Sequence, residues 1–191
     1  MRLLSWNVHG LRDDVPALAG LLRELDPDVL CVQEAPKYWH WRARCAALAQ
    51  QCGLTYVTGG GTTGGTALFA HLRVGVRAVL EVPLSRQWGW PDRGLAAAVV
   101  TVDRADLIVA SLHLPLDLEQ RLGQVRRILR LVRHGQPARP VLAAGDLNER
   151  PGGPTWRALE AGGWRDLGPG SGPTFPAADP QRRIDAVLGS P

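Results

Sequence analysis

The chain has 191 residues, of which 45% are hydrophobic and 21% charged, and this is typical of a soluble globular protein of one domain. Its net charge of +4 is a weak indication of an anionic partner, because genomic base bias can also enrich arginine. No apolar run fits a secretory signal or a membrane span, and three cysteines without a CxxC pair argue against a disulfide framework or a zinc site, so we expect a reducing, cytoplasmic location.

The predicted elements of the first half alternate between strands and helices. Asp13 and Asp14, with Pro16 behind them, mark the start of a helix that stops at Asp26. The GGGTTGG segment at 59–65 lacks the GK[ST] ending of a phosphate-binding loop and is predicted to be a flexible hairpin connection. Strands are expected at 2–8, 28–34, 54–57 and 66–71, and a second helix at about 39–51.

The second half predicts two adjoining strands, a long helix and two further strands. The strands at 94–102 and 105–114 are joined by the short turn Asp103-Arg104, so we expect them to be antiparallel. A long amphipathic helix follows from about residue 118, with its arginines, Arg121 among them, mostly off the core-facing stripe. We then expect a strand at 141–145, a short helix at 155–161 and a last strand at 183–190. The pattern predicts one α/β domain with mixed or antiparallel sheets.

Five of the predicted strands carry polar residues able to bind a metal ion or a phosphate. In chain order these residues are Asn7 and His9, Glu34, His113, Asp146 with Asn148, and Asp185. Strand ends on one side of a sheet can converge in space, and ligand sites form at such edges.

Each of these residues also has a purely structural interpretation. Asp146 and Asn148 could form an Asx turn that closes a strand. Glu34 could be a solvated strand end, His113 a hydrogen-bonded core histidine, and Asp185 a surface partner of a neighbouring arginine. Five independent coincidences of this kind are a poor explanation of the whole set.

The chemistry that fits the set is phosphoryl transfer assisted by a hard metal ion. Mg²⁺ prefers oxygen ligands and keeps several waters, so one or two carboxylates suffice to hold it. A phosphodiester needs neutralised oxygens, an oriented water and a stabilised leaving group. We expect a cationic histidine near the phosphate to stabilise the charge that grows in the transition state.

These residues resemble the endonuclease/exonuclease/phosphatase family, which includes nucleases of the DNase I and exonuclease III types. The matching segments follow the family order from residue 3 to residue 190, and they are LLSWNVHGLR, DVLCVQE, SLHLP, AAGDLNERP, PTFP and RRIDAVLGSP. The resemblance implies a four-layered α/β sandwich of two mixed, mostly antiparallel sheets with outer helices. It also implies dependence on Mg²⁺ or Mn²⁺.

The resemblance also implies a role for each matching residue. Glu34 would be the principal metal ligand, with Asn7 beside it. His113 would contact the scissile phosphate, Asp146 would orient or activate the attacking water, and Asn148 would help to position both. In the family, the residue matching Asp185 supports a later histidine or takes part in a second metal position.

That later histidine is where the sequence departs from the family pattern. Only six residues follow Asp185 and none is histidine, so we expect the domain to lack its last strand and its Asp-His segment. Three explanations are open: the chain is part of a longer protein, another group such as His9 substitutes, or the protein binds phosphate esters without turnover. Loss of a general acid or base would lower the rate about 10²- to 10⁴-fold.

The substrate is predicted from two clusters of aromatic and basic residues, at 37–44 and 86–94. Their tryptophans could stack on bases while their arginines meet phosphates, or the tryptophans could anchor helix and loop to the core. The residues concerned are Trp39, Trp41, Trp88 and Trp90, with Arg42, Arg44, Arg86 and Arg93. We therefore expect a metal-dependent phosphodiesterase acting on DNA or RNA. The alternatives are an inactive module that binds nucleic acid or phosphoesters, and a phosphatase or lipid phosphodiesterase.

Overall fold

A computed structural model describes residues 1–85, 92–135 and 139–190 of the chain, and the side chains of 133–135 are not described. The predicted substrate contacts Trp88, Trp90 and Arg86 therefore lie outside the described residues. The α-helices of the described part are α1 (Val15–Leu25), α2 (Trp41–Gln51), α3 (Leu118–Gly135) and α4 (Pro154–Ala161). Its strands are β1 (Leu3–Asn7), β2 (Val29–Gln33), β3 (Thr55–Gly59), β4 (Ala67–Ala70), β5 (Gly75–Ser85), β6 (Arg93–Val102), β7 (Ala105–His113), β8 (Val141–Asp146), β9 (Arg165–Asp166) and β10 (Asp185–Gly189).

The strands form two mixed sheets that pack face to face. The four-stranded sheet has the order β1-β2-β4-β3, and the six-stranded sheet has the order β5-β6-β7-β8-β10-β9. Among the strand pairs of the described residues, β1–β2 and β7–β8 are parallel and the others are antiparallel. With helices outside both sheets, this arrangement confirms the predicted four-layered α/β sandwich of two mixed, mostly antiparallel sheets.

Three apolar layers hold the sandwich together. The layer between the sheets combines small side chains, such as Cys31, Ala96 and Ala144, with valines and Leu68. One outer layer packs α1 and α2 on the four-stranded sheet, and the other packs α3 and α4 on the six-stranded sheet. None of the helices in the described ranges is long and apolar enough to cross a membrane.

Several local predictions are confirmed by the helix ends. Asp14 caps α1 by accepting a hydrogen bond from the Ala17 N–H at 2.9 Å, and Asp26 ends that helix in the left-handed conformation. The 59–65 segment does connect an antiparallel pair, β3 and β4. It is not the open flexible loop that we predicted, because internal hydrogen bonds, including Thr63 Oγ1 to Thr66 O at 2.6 Å, fix a single 3₁₀ turn.

The sequence does not predict β5. Its first six residues are exposed, and only its second half buries side chains, at Val82 and Leu84. An edge strand with little burial lacks the alternating apolar pattern on which strand prediction depends. The two-residue strand β9 is too short to give any such pattern.

Strand direction brings the polar strand ends to one edge. β6 runs antiparallel to β7, and β10 runs antiparallel to β8. The carboxyl ends of β7 and β8 therefore lie beside the amino ends of β6 and β10. The two sheets are tied together just behind this edge, because Ser111 Oγ donates to Val32 O at 2.9 Å and Gln33 Nε2 donates to Ser111 Oγ at 3.3 Å.

Candidate active site

The four-stranded sheet contributes Asn7 and Glu34, which are in direct contact. Asn7 Nδ2 donates to Glu34 Oε1 at 3.1 Å, while Asn7 Oδ1 accepts the His9 N–H at 2.9 Å. Glu34 is half-buried and has a φ of 53°, so the chain turns at the end of β2 and carries the carboxylate to the edge. Asn7 thus meets Glu34 through its amide nitrogen and holds the carboxylate in place.

The six-stranded sheet contributes the buried pair His113 and Asp146. The two residues are register partners on the parallel strands β7 and β8, and His113 Nε2 lies 3.6 Å from Asp146 Oδ2. Burial raises the pKa of Asp146 to about 7, and the nearby Asp185 and Glu34 carboxylates act in the same direction. Because the charges of both carboxylates affect the pKa of Asp146, the ends of the four-stranded and the six-stranded sheet form one electrostatic site.

Asn148 is held against the same strand ends by the backbone. Its N–H donates to Asp146 Oδ1 at 2.7 Å, and its Nδ2 donates to Leu114 O at 2.8 Å. The Asx turn that we considered as a structural alternative is therefore present. The turn does not remove Asp146 and Asn148 from the polar cluster, because it fixes the Asp146 carboxylate beside His113.

Asp185 lies directly opposite Asp146 in the antiparallel β8–β10 pair. Burial raises the pKa of Asp185, and a hydrogen bond with the Thr174 hydroxyl acts in the opposite direction. Asp185 is not part of a surface ion pair with its neighbour, because the Arg183 guanidinium makes two hydrogen bonds to Asp166. Thr174 belongs to the PTFP segment and was not identified as a site residue from the sequence.

The close packing of β8 on β7 requires a glycine at position 145, immediately before Asp146. At a φ of 152°, a Cβ atom on Gly145 would lie 2.0 Å from Leu112 O on the neighbouring strand β7. The close approach of the two backbones therefore excludes a side chain here. It sets Asp146 beside His113, one residue further along both strands.

Positive charge at the site comes from Arg93 and Lys37. Burial, with the charges of Arg93 and Lys37 acting in the same direction, lowers the pKa of His113 to about 3. Desolvation and the two nearby cations therefore favour the neutral form of His113, and the cationic histidine near the phosphate stays a prediction. Lys37 was missed as a site residue, although it follows Glu34 by only three positions.

Arg93 is the first residue of β6 and therefore lies at the same edge. Gly64, with a φ of 66°, packs on the backbone there, since a Cβ atom on it would lie 2.3 Å from Asp92 O. The Arg93 Nε atom is buried and has no hydrogen-bond partner among the described residues. A buried cationic donor without an acceptor is suited to bind an anion.

A buried ion pair supports the loop that carries Asn148. Arg121 donates to Glu149 Oε1 and to Thr155 Oγ1, both at 2.9 Å, and also to the carbonyls of Pro115 and Leu116. Only 6% of Arg121 is exposed, so its prediction as a residue off the core-facing stripe is wrong. Helix periodicity misses it because its partners lie in two loops and at the start of α4, which are distant from α3 in the sequence.

The aromatic cluster at 37–44 has two different environments. Trp39 is 88% exposed, whereas Trp41 is half-buried, contacts Arg42 at 4.0 Å from its ring centroid, and packs against the 59–65 segment. Trp41 therefore follows the anchoring alternative and Trp39 does not. His9 lies at the rim, with Nδ1 3.2 Å from both carboxylate oxygens of Asp13.

The donor set at this edge fits a hard divalent cation. In the described part of the chain, no group of three or more His, Cys, Asp or Glu side chains is placed to hold a metal. Mg²⁺ does not need such a cage, because it binds one or two carboxylates and keeps its other waters. Glu34, held by Asn7, supplies an accessible carboxylate of this kind.

Comparison with known protein families identifies the class to which this sandwich belongs. The chain matches the model of the Endonuclease/Exonuclease/phosphatase family over residues 4–191 and belongs to this family, whose members are hydrolytic phosphoesterases. No curated protein matches the chain.

Several solved structures have the same fold, and three of them illustrate the range of proteins that it includes. D. rerio TDP2 complexed with a single-strand DNA product is 19% identical, with a TM-score of 0.76, and the match covers 100% of this chain and 83% of that chain. A mannosyl-6-phosphatase from Bacteroides thetaiotaomicron is 17% identical, with a TM-score of 0.78 and coverages of 100% and 85%. A functionally unknown conserved protein from Enterococcus faecalis is 18% identical, with a TM-score of 0.79 and coverages of 100% and 87%. These similarities show the DNase I-like fold.

Proposed function

We propose that the protein is a divalent-metal-dependent phosphodiesterase that hydrolyses nucleic acid strands. The observation that carries the proposal is the convergence of Glu34 and Asn7 from one sheet with His113, Asp146 and Asp185 from the other. Arg93, whose buried Nε has no hydrogen-bond partner among the described residues, lies beside them. Each sheet alone would present only part of this set.

In this proposal Glu34 holds Mg²⁺ or Mn²⁺, and Asn7 lies beside it as a further oxygen ligand or as the residue that orients the carboxylate. The ion would supply Lewis-acid stabilisation of charge on a phosphate oxygen. The carboxylate at Glu34 would be lost as a ligand in a Glu34→Gln variant. The hydrogen bond from Asn7 could remain, because the amide of glutamine also carries an acceptor oxygen.

Asp146 is proposed to orient and activate the attacking water. A general base is most effective when its pKa lies near the working pH, and the pKa of Asp146 is about 7. Asn148 would help to position the water and the phosphate from the turn after β8. Asp185 would keep the pKa of Asp146 high through its charge.

His113 and Arg93 are proposed to contact the phosphate. The neutral His113 would donate a hydrogen bond through its ring N–H, and Arg93 would supply the positive charge. The buried Arg93 Nε without an acceptor supports this assignment. Lys37 would add a second positive charge to the same side of the site.

A nucleic acid substrate is supported by the net charge of +4, by the exposed Trp39 near Lys37, and by the fold shared with a protein crystallised with single-strand DNA. The phosphatase alternative is supported by the equally similar mannosyl-6-phosphatase. Trp88 and Trp90 stay predicted base contacts. We also propose one domain over 1–191 and a cytoplasmic location, which the three free, buried cysteines support.

A substrate panel tests the proposal. Single-strand DNA, duplex DNA, RNA and a sugar phosphate are incubated with the protein in Mg²⁺, Mn²⁺ or EDTA, and products are resolved on gels. We expect cleavage of a nucleic acid in either metal, with a loss of about 10²- to 10⁴-fold in Glu34→Gln and in Asp146→Asn. Glu24→Gln, a neutralised carboxylate on the exposed face of α1, is the matched control and should leave the rate unchanged.

Three outcomes would contradict parts of the proposal. Undiminished cleavage in EDTA would exclude the metal role. Release of phosphate from the sugar phosphate alone would favour the phosphatase. Binding of DNA without turnover in any metal would favour an inactive binding module. His9→Gln tests whether His9 contributes to the reaction, and an unchanged rate in this variant would exclude that role.

A further inference from the structure

The 59–65 segment, which joins β3 to β4, lies against the backbone of the proposed metal ligand. The Gly65 carbonyl accepts the N–H of Ala35, the residue after Glu34, at 2.8 Å. A Cβ atom on Gly65 would lie 3.5 Å from Glu34 Cα, which is van der Waals contact. The position of the Glu34 backbone therefore depends on the position of this segment.

The same segment also contacts the backbone around Arg93. Thr66, which follows the segment, donates from its Oγ1 to the Gly94 carbonyl at 3.1 Å. A Cβ atom on Gly94 would lie 2.6 Å from Thr63 Cα, so no side chain fits between the two backbones. Burial lowers the pKa of Arg93 and the charge of Glu34 opposes this, which shows that the two side chains lie near each other. One piece of chain thus supports two site residues that belong to different sheets.

Glu81 holds the start of this segment. It lies in β5, at the edge of the six-stranded sheet, and is paired with Ala96 of β6. Its Oε1 atom accepts a hydrogen bond from Thr58 Oγ1 at 2.8 Å and another from the Gly59 N–H at 2.9 Å. Both donors belong to the end of β3 in the four-stranded sheet. One carboxylate therefore joins the two sheets where the 59–65 segment begins.

The two donors to Glu81 have little access to water. Thr58 is 3% exposed and Gly59 is buried. A buried N–H or hydroxyl group that loses its acceptor carries the full cost of its desolvation. The end of β3 and the segment after it should therefore shift when the acceptor at position 81 is removed.

We propose that Glu81 is a positioning residue, which sets Glu34 and Arg93 at their working distance through the 59–65 segment. This role rests on the proposed function, in which Glu34 holds the metal ion and Arg93 contacts the phosphate. Glu81 itself contacts neither group. Its loss should weaken the binding of both, and it should leave the hydrogen bonds around Asp146, on β8, unchanged.

Three variants separate this role from general stability. Glu81→Met removes the acceptor and keeps a long side chain, whereas Glu81→Gln keeps an acceptor oxygen for both donors. Asp106→Leu is the matched control, because Asp106 also accepts a threonine hydroxyl, that of Thr101 at 2.6 Å. Asp106 lies at the opposite end of β7 from His113, so its loss should not reach the site.

Amide hydrogen exchange measured by NMR tests the link without any turnover. The Ala35 N–H should exchange about tenfold faster in Glu81→Met, because its acceptor Gly65 is no longer fixed. The Leu114 N–H, which donates to Asp146 O at 2.9 Å, should exchange at an unchanged rate. Glu81→Gln and Asp106→Leu should leave the ratio of the two rates as it is in the unaltered protein.

Binding of Mn²⁺ alone, measured by electron paramagnetic resonance, is the second readout. The Kd of Mn²⁺ should rise about tenfold in Glu81→Met and stay near its original value in Glu81→Gln, because supporting contacts orient a metal ligand. In the cleavage assay, KM should rise about tenfold in Glu81→Met, and kcat at saturating metal and substrate should fall by less than about threefold.

Three results would overturn the proposal. They are unchanged exchange of the Ala35 N–H in Glu81→Met, equal acceleration of the Ala35 and Leu114 amides, and an unchanged Kd of Mn²⁺ in a variant whose Ala35 amide exchanges faster. Failure of the proposed function would look different, because the unaltered protein would then bind no Mn²⁺ or cleave no nucleic acid. The two amides would still decide whether Glu81 holds the segment.

Thr58→Val replaces Glu81→Met if that variant fails to fold. It removes one of the two donors to Glu81 and keeps the shape of the side chain. Exchange of the Ala35 N–H, the Kd of Mn²⁺ and KM should all change in the same direction as in Glu81→Met. No change in any of the three would equally contradict the positioning role.

Discussion

The two sheets contribute to the candidate active site in different ways. On the four-stranded side, Glu34 is half-buried and is held by one hydrogen bond from Asn7. On the six-stranded side, Asp146 is 6% exposed, lies beside His113 and Asp185, and has a pKa raised to about 7. One side presents a carboxylate to solvent, as metal capture requires, and the other keeps a carboxyl group out of water, as proton transfer requires. The difference predicts that removing a charge changes the free energy of unfolding far more on the six-stranded side than on the four-stranded side.

The largest effect is expected beneath the six-stranded side, at the buried pair Arg121 and Glu149. Arg121→Met leaves the Glu149 carboxylate in a site that is largely closed to water, and we expect the free energy of unfolding to fall by about 3–5 kcal/mol. Urea unfolding followed by circular dichroism measures the loss.

The matched control for Arg121 is Arg73, whose ion pair with Asp26 lies on the surface of the four-stranded side. Arg73→Met should destabilise the protein far less, because water and salt screen that pair. The double variant Arg121→Met/Glu149→Gln should recover part of the loss. If Arg121→Met costs no more than Arg73→Met, the buried pair is not the support that we infer.

An intermediate effect of opposite sign is expected at Asp146. The pKa of Asp146 is about 7 in the folded protein and near 3.8 in the unfolded chain. The protonated carboxyl therefore contributes fully to the free energy of unfolding below about pH 4, and this contribution is lost as the pH rises through 7. Asp146→Asn does not titrate. Without metal it should be more stable than the unaltered protein by about 2–4 kcal/mol at pH 8 and equally stable near pH 4.

Thermal unfolding of both proteins in EDTA from pH 4 to pH 8 measures this difference. A gain in stability that does not depend on pH would contradict the electrostatic explanation. The variant should be more stable and nearly inactive at once, which is the combination expected where a group is held for function at a cost in folding.

The smallest effect is expected at Glu34. Glu34→Gln keeps an oxygen for the Asn7 amide and removes a charge that is half in water, so the free energy of unfolding should change by about 0.5 kcal/mol or less. Its loss of activity should nevertheless match that of Asp146→Asn. A stability change in Glu34→Gln as large and as pH-dependent as that of Asp146→Asn would remove the distinction between the two sides.

Sequence periodicity predicts the elements that bury a regular face. Helix α1, with its Asp14 cap, and the antiparallel pair β6 and β7 are examples in which local pattern and burial coincide. The exposed strand β5 was not predicted, because edge pairing leaves no apolar alternation in the sequence.

The site residues also divide into those that a local sequence pattern predicts and those that it does not. Asn7, Glu34, His113, Asp146 and Asp185 stand at strand ends, so their convergence follows from sheet geometry. Lys37 and Thr174 lie in loops, and the neutral state of His113 depends on burial and on charges from other elements, which no local pattern encodes.

The contact between Gln33 and Ser111 crosses from one sheet to the other immediately behind the edge that carries the candidate active site. The sandwich cannot open there without pulling Glu34 away from His113. A phosphate or metal complex that contacts both sheets would therefore stabilise the whole sandwich. Binding of such a ligand should raise the melting temperature of the protein even where no turnover is detected.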